Sequence, residues 1–416
     1  MALPRSSRSA HRPLRVAVAG LGAVAQAVQL PLLAGLRETF EIAAICDLSP
    51  ALTNSLGDRY RVPTQYRYRD VATMLDAVEL DGLLVLTSGS HADVAEAALR
   101  RGLPVLCEKP LAMTLAEADR LAAIEGAEHD GERLMVGYMK LFDPAVEEAV
   151  RIAHDPDRPM GALRAVEVTV LHPTSESQLA FAHLVPPPDD IEAATLARLR
   201  ESSARLETDA LGPAGSALGR LYSGILLGSV IHDLAVIRAV ASAPVAIDRV
   251  ETWPDGAWPP SVAIDGRLAD GARLSIGWHF LPDYPAYRED ARFHYERGSV
   301  ELSFPAPYRL HEPTSLVVST GKDETRRRMV LDSIEEAFEH ELLAFAAMIA
   351  GGGRARSGIA DGRTDIVTCQ LMAARLAADR GLTLGGEAAV ASMTAVAAGA
   401  AGDARPGGSA RGGATA

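Results

Sequence analysis

A chain of 416 residues, 48% hydrophobic and 23% charged, is long enough for two cores and has the composition of a globular protein. Its formal charge of −13 excludes the basic footprint of nonspecific nucleic-acid binding, and no apolar run approaches the roughly 18 residues of a membrane span. Cys46, Cys107 and Cys369 are scattered and lack metal-ligand spacing, which predicts buried thiols in a reducing compartment and no metal site.

Residues 1–13, MALPRSSRSAHRP, are basic but lead into no apolar signal core, so they read as a disordered arm of a cytoplasmic protein. From Leu14, "LRVAVAG" predicts a buried strand that ends in a tight turn at Gly20 and opens a helix. "FEIAAICDLSP" predicts a second strand ending at Asp47, "DGLLVLTSGS" a third, and "GLPVLCEKP" a fourth stopped by Pro110. Helical stretches such as "HADVAEAALRRG" and "TLAEADRLAAIEG" accompany these runs. The alternation predicts an α/β Rossmann domain over 14–140, its parallel sheet covered on both faces.

The pattern then changes. "LRAVEVTVL" alternates like a strand, and further strand-like runs between about 245 and 320 are separated by Pro, Gly and Asp. They predict an α+β domain over 141–385, built on a mainly antiparallel, open-faced sheet. A largely helical insertion near 186–219 interrupts it. An amphipathic stripe of Ile334, Phe338, Leu342 and Phe345 predicts a helix to Ile349, and another is expected over about 364–380. Residues 386–416, rich in Gly and Ala, read as a disordered tail.

Gly20, Gly22 and Ala25 form G-x-G-x-x-A between the first strand and its helix. Glycine at the first position permits the turn, at the second it lets backbone approach a pyrophosphate, and the small third residue lets helix and strand pack closely. The helix start offers N–H donors to the same phosphates. Asp47 ends the second strand, where a carboxylate accepts both ribose hydroxyls and repels a 2′-phosphate. With no arginine in the next several residues, NAD is expected as cofactor ahead of NADP.

Of the 41 basic residues only Lys109, Lys140 and Lys322 are lysine, so an ammonium in "VLCEKPLA" stands out against an arginine background. A nucleotide-binding N-terminus, then "CEKPLA", "MVGYMKLFDPAV" and "SGILLGSVIHDLAVIR" resembles the Gfo/Idh/MocA oxidoreductases over about residues 14–385. The resemblance implies that Glu108 and Lys109 lie at the nicotinamide end, Lys109 binding the substrate oxygen, with a cis peptide before Pro110. It also implies that Thr87 and His91 line the adenosine and ribose, although "TSGSHA" lacks the proline of the family's T-P-x-x-x-H-A and is one residue shorter.

The family's second block reads D-x-x-x-H. Here His232 matches the histidine, the implied general acid/base, but Gly228 stands where the aspartate belongs. A carboxylate from elsewhere, such as Glu176, could replace it; alternatively substrate fills the space, or catalysis has been lost. Asp233 reads as a salt bridge, to Arg238 or to a distant partner. Lys140 and His172 are weaker candidates for the substrate face. Trp278 and His279 alternate on a strand, so only one of them faces the pocket, and Tyr284 and Tyr287 read as loop or dimer contacts.

The resemblance implies an NAD-dependent oxidoreductase that moves hydride to or from a secondary alcohol or ketone of a sugar, cyclitol or related polyol. It implies a homo-oligomer, dimer or tetramer, with no nucleic-acid or membrane partner. The rival readings are a non-catalytic NAD-binding regulatory or scaffold protein, and an NAD-dependent glycosidase.

Overall fold

The computed structural model describes residues 12–403, apart from 129–130, 158–159, 187–188 and 323–324. Six parallel strands form the first sheet: β1 (Leu14–Ala19), β2 (Phe40–Cys46), β3 (Arg67–Tyr68), β4 (Gly82–Val85), β5 (Val105–Glu108) and β6 (Leu134–Gly137). Their order is β3-β2-β1-β4-β5-β6. The four expected strands are all present; β3, of two residues, is too short to show periodicity. Apolar runs without alternation are what a strand buried on both faces requires, and Val16 to Ala19 are wholly buried. Strand order reverses between β2 and β4 on either side of β1, which opens a crevice at the strands' carboxyl ends.

The second sheet has eight strands: β7 (Leu163–His172), β8 (Pro244–Trp253), β9 (Ser261–Leu268), β10 (Arg273–Phe280), β11 (Arg288–Tyr295), β12 (Gly298–Phe304), β13 (Thr314–Lys322) and β14 (Thr325–Ser333). Their order is β14-β13-β12-β11-β7-β10-β9-β8. Every pairing is antiparallel except β7 with β10. Val166, Val168 and Val170 of β7 point inward, and the intervening residues are more exposed. The helix Ile359–Asp379 packs on β8 and also on β6 and the helix Leu115–Glu128, joining the two sheets.

Two expectations change. The tail is helical over Gly386–Asp403, an alanine-rich stretch of high helix propensity, and it packs on the insertion helix Ala193–Leu211. Glu387 binds the N–H groups of Leu115 and Ala116, supplying acceptors that a helix start lacks internally. Residues 404–416 and the arm's first 11 residues lie outside the described residues. The helix after β14 begins at Ala337, capped by Glu336, so Phe338, Leu342 and Phe345 are buried while Ile334 is 73% exposed.

Candidate active site

Gly20 follows β1 with φ +94°. A Cβ there would stand 2.5 Å from the Leu86 carbonyl oxygen and 2.7 Å from the Thr87 nitrogen, so only glycine lets the ends of β1 and β4 meet. At Gly22 a Cβ would meet nothing within 4 Å, which leaves bare backbone facing open space. Ala25 is fully buried at the start of the π-helical turn Ala25–Gln29. Asp47 accepts the Leu21 N–H on Oδ2 at 2.8 Å and the Ser49 N–H on Oδ1 at 2.9 Å. Each carboxylate oxygen keeps a lone pair for a ribose hydroxyl. Thr87 Oγ1 is buried without a hydrogen-bond partner. Bare backbone, an orphaned hydroxyl and a half-used carboxylate around one crevice fit a dinucleotide.

His91 does something else. Its Nδ1 lies 2.6 Å from the Pro110 carbonyl and its Nε2 lies 2.7 Å from the Thr87 carbonyl. A carbonyl only accepts, so the neutral ring donates to one of the two, and lodged between both it braces the loop after β4 against the chain after β5.

Glu108 closes β5, and the Lys109–Pro110 peptide is cis. Lys109 Nζ donates to the Gly228 carbonyl at 2.5 Å, crossing from one domain to the other. Gly228 belongs to a π-helical stretch, Tyr222–Val230, in a nearly continuous helical run from the insertion to Val240. Such π-turns interrupt regular helix pairing and recur at functional sites. Gly224, Ile225, Gly228, Ser229 and His232 of this run form one wall of a cavity of about 320 Å³. Glu108, Lys109 and Lys140 line it from the nucleotide domain, and His172, Trp278, Phe280 and Tyr287 from the sheet.

Charge in this cavity is concentrated and largely buried. Burial lowers the pKa of Lys109; the Glu108 carboxylate opposes this and the Lys140 ammonium adds to it. His232 is held well below the usual imidazole value, by burial first and then by the Lys109 and Lys140 charges. Its Nδ1 is buried without a partner. The ring is therefore neutral near pH 7, and no carboxylate among the described residues orients it through Nδ1.

The missing aspartate is not replaced by Glu176, which is exposed on the short helix Ser175–Leu179. Carboxylates enter the cavity's surroundings from Asp233 and from Glu289 of β11. Lys140, 7% exposed, is ion-paired with Glu289, and Asp233 Oδ1 lies 3.9 Å from Lys140 Nζ. The Tyr287 hydroxyl also donates to Glu289. Burial and the Glu289 charge push the Asp233 carboxyl well above its usual range against the pull of Lys140, so it keeps its proton and donates to Glu289. Burial acts upward on Glu289 too, but the Lys140 charge and hydrogen bonds from Asp233, Lys140 and Tyr287 outweigh it and hold its pKa low. One ammonium, one carboxylate, one carboxylic acid and one phenol thus meet in one buried network, in which Asp233 Oδ1 has no hydrogen-bond partner.

Of the two partners expected for Asp233, the structure places the distant one, Lys140, beside it, and not Arg238, whose guanidinium binds Asp361 at 2.5 Å and Asp365 at 3.0 Å. Tyr287, in the loop just before β11, forms part of the cavity wall. Of the two alternating residues, Trp278 faces inward, its Nε1–H donating to Ser229 Oγ at 2.9 Å, while His279 packs on Trp253. His172 lies 5.1 Å from the Trp278 ring, and its Nδ1 faces the Pro173 carbonyl at 2.7 Å. A carbonyl only accepts, so Nδ1 carries the proton and Nε2 is an acceptor. Glu289 escaped the sequence reading, though a signal existed: Glu289, Ala291 and Phe293 share the inward face of one strand, and Glu289 is 1% exposed. A carboxylate on an apolar face needs a partner.

Residues 14–138 match the model of the Gfo/Idh/MocA oxidoreductase family with its NAD-binding Rossmann fold. Inositol 2-dehydrogenase of Salmonella typhimurium is 30% identical over 132 residues, 31% of this chain and 38% of that enzyme. The D-xylose 1-dehydrogenase (NADP(+)) 2 of Haloferax volcanii is 38% identical over 114 residues, 27% of this chain and 34% of that enzyme. In both, the matched segment spans little more than a third of the relative. Aldose–aldose oxidoreductase from Caulobacter crescentus shares the fold across both domains, with a TM-score of 0.66 at 19% identity, covering 89% of this chain and 98% of that one. The nucleotide domain, over residues 14–138, is thus similar to the NAD-binding domain of the Gfo/Idh/MocA oxidoreductases.

Proposed function

We propose that this protein is an NAD-dependent dehydrogenase acting on a secondary alcohol, or the matching ketone, of a sugar, cyclitol or related polyol. The observation that carries the reading is the meeting of Lys109 and the neutral His232 in one cavity beside the glycine turn. Gly20, Gly22, Ala25, Asp47 and Thr87 would hold the dinucleotide, whose nicotinamide, when bound, accepts or returns the hydride. Lys109 directs an ammonium proton at the substrate oxygen and stabilises negative charge there. His232, uncharged, takes the hydroxyl proton during oxidation and gives it back during reduction. His172 Nε2 accepts from a second hydroxyl, and the rings of Trp278 and Phe280 cover apolar faces of the substrate. The enzyme works as a cytoplasmic homo-oligomer, in keeping with the family resemblance.

The test is NADH formation from NAD⁺ against a panel of polyols and sugars, with Lys109→Ala and His232→Asn beside the wild type. Turnover lost in both variants supports the dehydrogenase reading. A regulatory reading draws on one observation, the absence of a side chain at Gly228 that leaves His232 Nδ1 unpartnered. Tight NAD⁺ binding with no turnover on the panel would favour it. Release of a sugar without NADH accumulation would favour the glycosidase instead.

A further inference from the structure

Val185 and Asp190, which precede the insertion helix, both bind the nucleotide domain beside the glycine turn and β2. The Val185 N–H donates to Gln26 Oε1 at 2.8 Å, and Gln26 in turn donates to the Leu21 carbonyl inside the glycine turn. Further along, Asp190 Oδ2 accepts the Ala51 N–H at 2.7 Å. Ala51 lies in the first turn of the ten-residue helix Pro50–Arg59, whose N-cap is Ser49. Ser49 is itself tied to Asp47 through its N–H. The Ser49 hydroxyl, the Ala51 N–H and the Arg69 charge all act on the Asp190 carboxylate in the direction that stabilises its charge. Arg69 is anchored nearby through Nε to the Leu48 carbonyl at 3.3 Å.

A hydroxyl, a helix-start N–H and a guanidinium, placed just beyond the acidic end of β2, are the donors a 2′-phosphate would use. Here a carboxylate from a distant part of the chain already occupies the hydroxyl and the N–H, with the Arg69 charge acting on it from nearby. We infer that Asp190 is a second specificity-determining residue for the cofactor: it fills the phosphate position beside Asp47 and so selects NAD over NADP. The inference rests on the dinucleotide reading and deepens it. Asp47 lies in the sequence next to what it reads, whereas Asp190 is delivered from the insertion, so cofactor choice and insertion docking are coupled.

The test is isothermal titration of the full-length protein with NAD⁺ and with NADP⁺, for wild type, Asp190→Ala and Asp190→Ala/Arg69→Ala. Removing the carboxylate should raise NADP⁺ affinity about tenfold, the scale of one charge-assisted contact exchanged, with little change for NAD⁺. The double variant should lose that gain, because Arg69 would hold the phosphate. If both affinities move together in Asp190→Ala, or the single variant gains nothing for NADP⁺, Asp190 only tethers the insertion and the inference fails while the dinucleotide reading stands. If wild type binds neither cofactor, both fall.

Discussion

The glycine-rich end of the cleft and its charged end draw on the chain differently. The first takes its turn, carboxylate and orphaned hydroxyl from residues 20–87, each at the carboxyl end of a neighbouring strand. The second joins Lys109 and Lys140 to Gly228, His232 and Asp233 of a helix, and to Tyr287 and Glu289 of a strand. One end depends on backbone conformation, where exclusion of a Cβ decides the fit. The other depends on charges whose ionisation states are set mutually. Damage should therefore register as lost binding at the first end, and as lost turnover, altered pH dependence or instability at the second.

The sharpest form of that contrast is Lys109→Ala. Its loss should lower kcat about 10³-fold, roughly 4 kcal/mol, while calorimetric NAD⁺ affinity changes little. Equal losses in both would mean that Lys109 holds the cofactor and the two ends are not separable. Glu289→Gln should cost about 3–5 kcal/mol in denaturant unfolding, because it strands the buried Lys140 ammonium. Asp233→Asn should cost far less, since an amide copies a carboxyl that is already protonated. If the two variants are equally unstable, the proton does not sit on Asp233.

Gly20→Ala tests the other end. Strain at positive φ alone costs about 1–3 kcal/mol, and the new Cβ would also press on the Leu86 carbonyl. NAD⁺ affinity should fall with stability, and saturating cofactor should recover most of kcat. A variant that binds NAD⁺ normally but turns over slowly would break the division between the ends.

How much of each end could be read from the sequence follows the same line. Gly20, Gly22, Ala25 and Asp47 sit at fixed spacings because one strand–turn–helix unit imposes them, and the residues name the geometry. His91 shows the limit of this: it lies at a recognisable position, yet its ring is lodged between two backbone carbonyls, a use no spacing reveals. At the charged end, Lys109 and His232 were legible only through a family pattern. Glu289 lies 149 residues from Lys140, and nothing local fixes that pairing. "PDYPAY" has loop chemistry and Tyr287 does lie in the loop before β11, but nothing local shows that its ring turns into the cavity. The alanine-rich tail was misread because small residues suit helix and disorder alike, and packing on the insertion decides between them.

The pH dependence follows from His232. An unfolded chain takes up this proton near pH 6.5, whereas the folded site resists it. Stability should therefore fall as pH drops below 6.5, and His232→Asn should flatten that slope. In alcohol oxidation the neutral ring is the working base, so the acid limb of kcat/KM should lie well below pH 6.5. An acid limb at or above that value would place a carboxylate near the ring.

Gly228→Asp gives the smallest expected effect and the finest test of what the charged end has given up. A Cβ at 228 would come no nearer than 3.4 Å to another atom, that atom being the Ser223 carbonyl oxygen, so a side chain can be accommodated. Its carboxylate would enter a cavity where Lys109 and Lys140 now depress the imidazole, and an added negative charge favours the imidazolium. The acid limb should move up in pH, and KM should rise as the side chain takes substrate volume. The rate should change by no more than about tenfold, because the proton acceptor itself is unaltered. An unmoved acid limb would show that a carboxylate at 228 cannot reach His232 from this π-helical turn. In that case glycine at this position would not be a lost partner, and its carbonyl, the present acceptor of the Lys109 ammonium, would be the feature that the site retains.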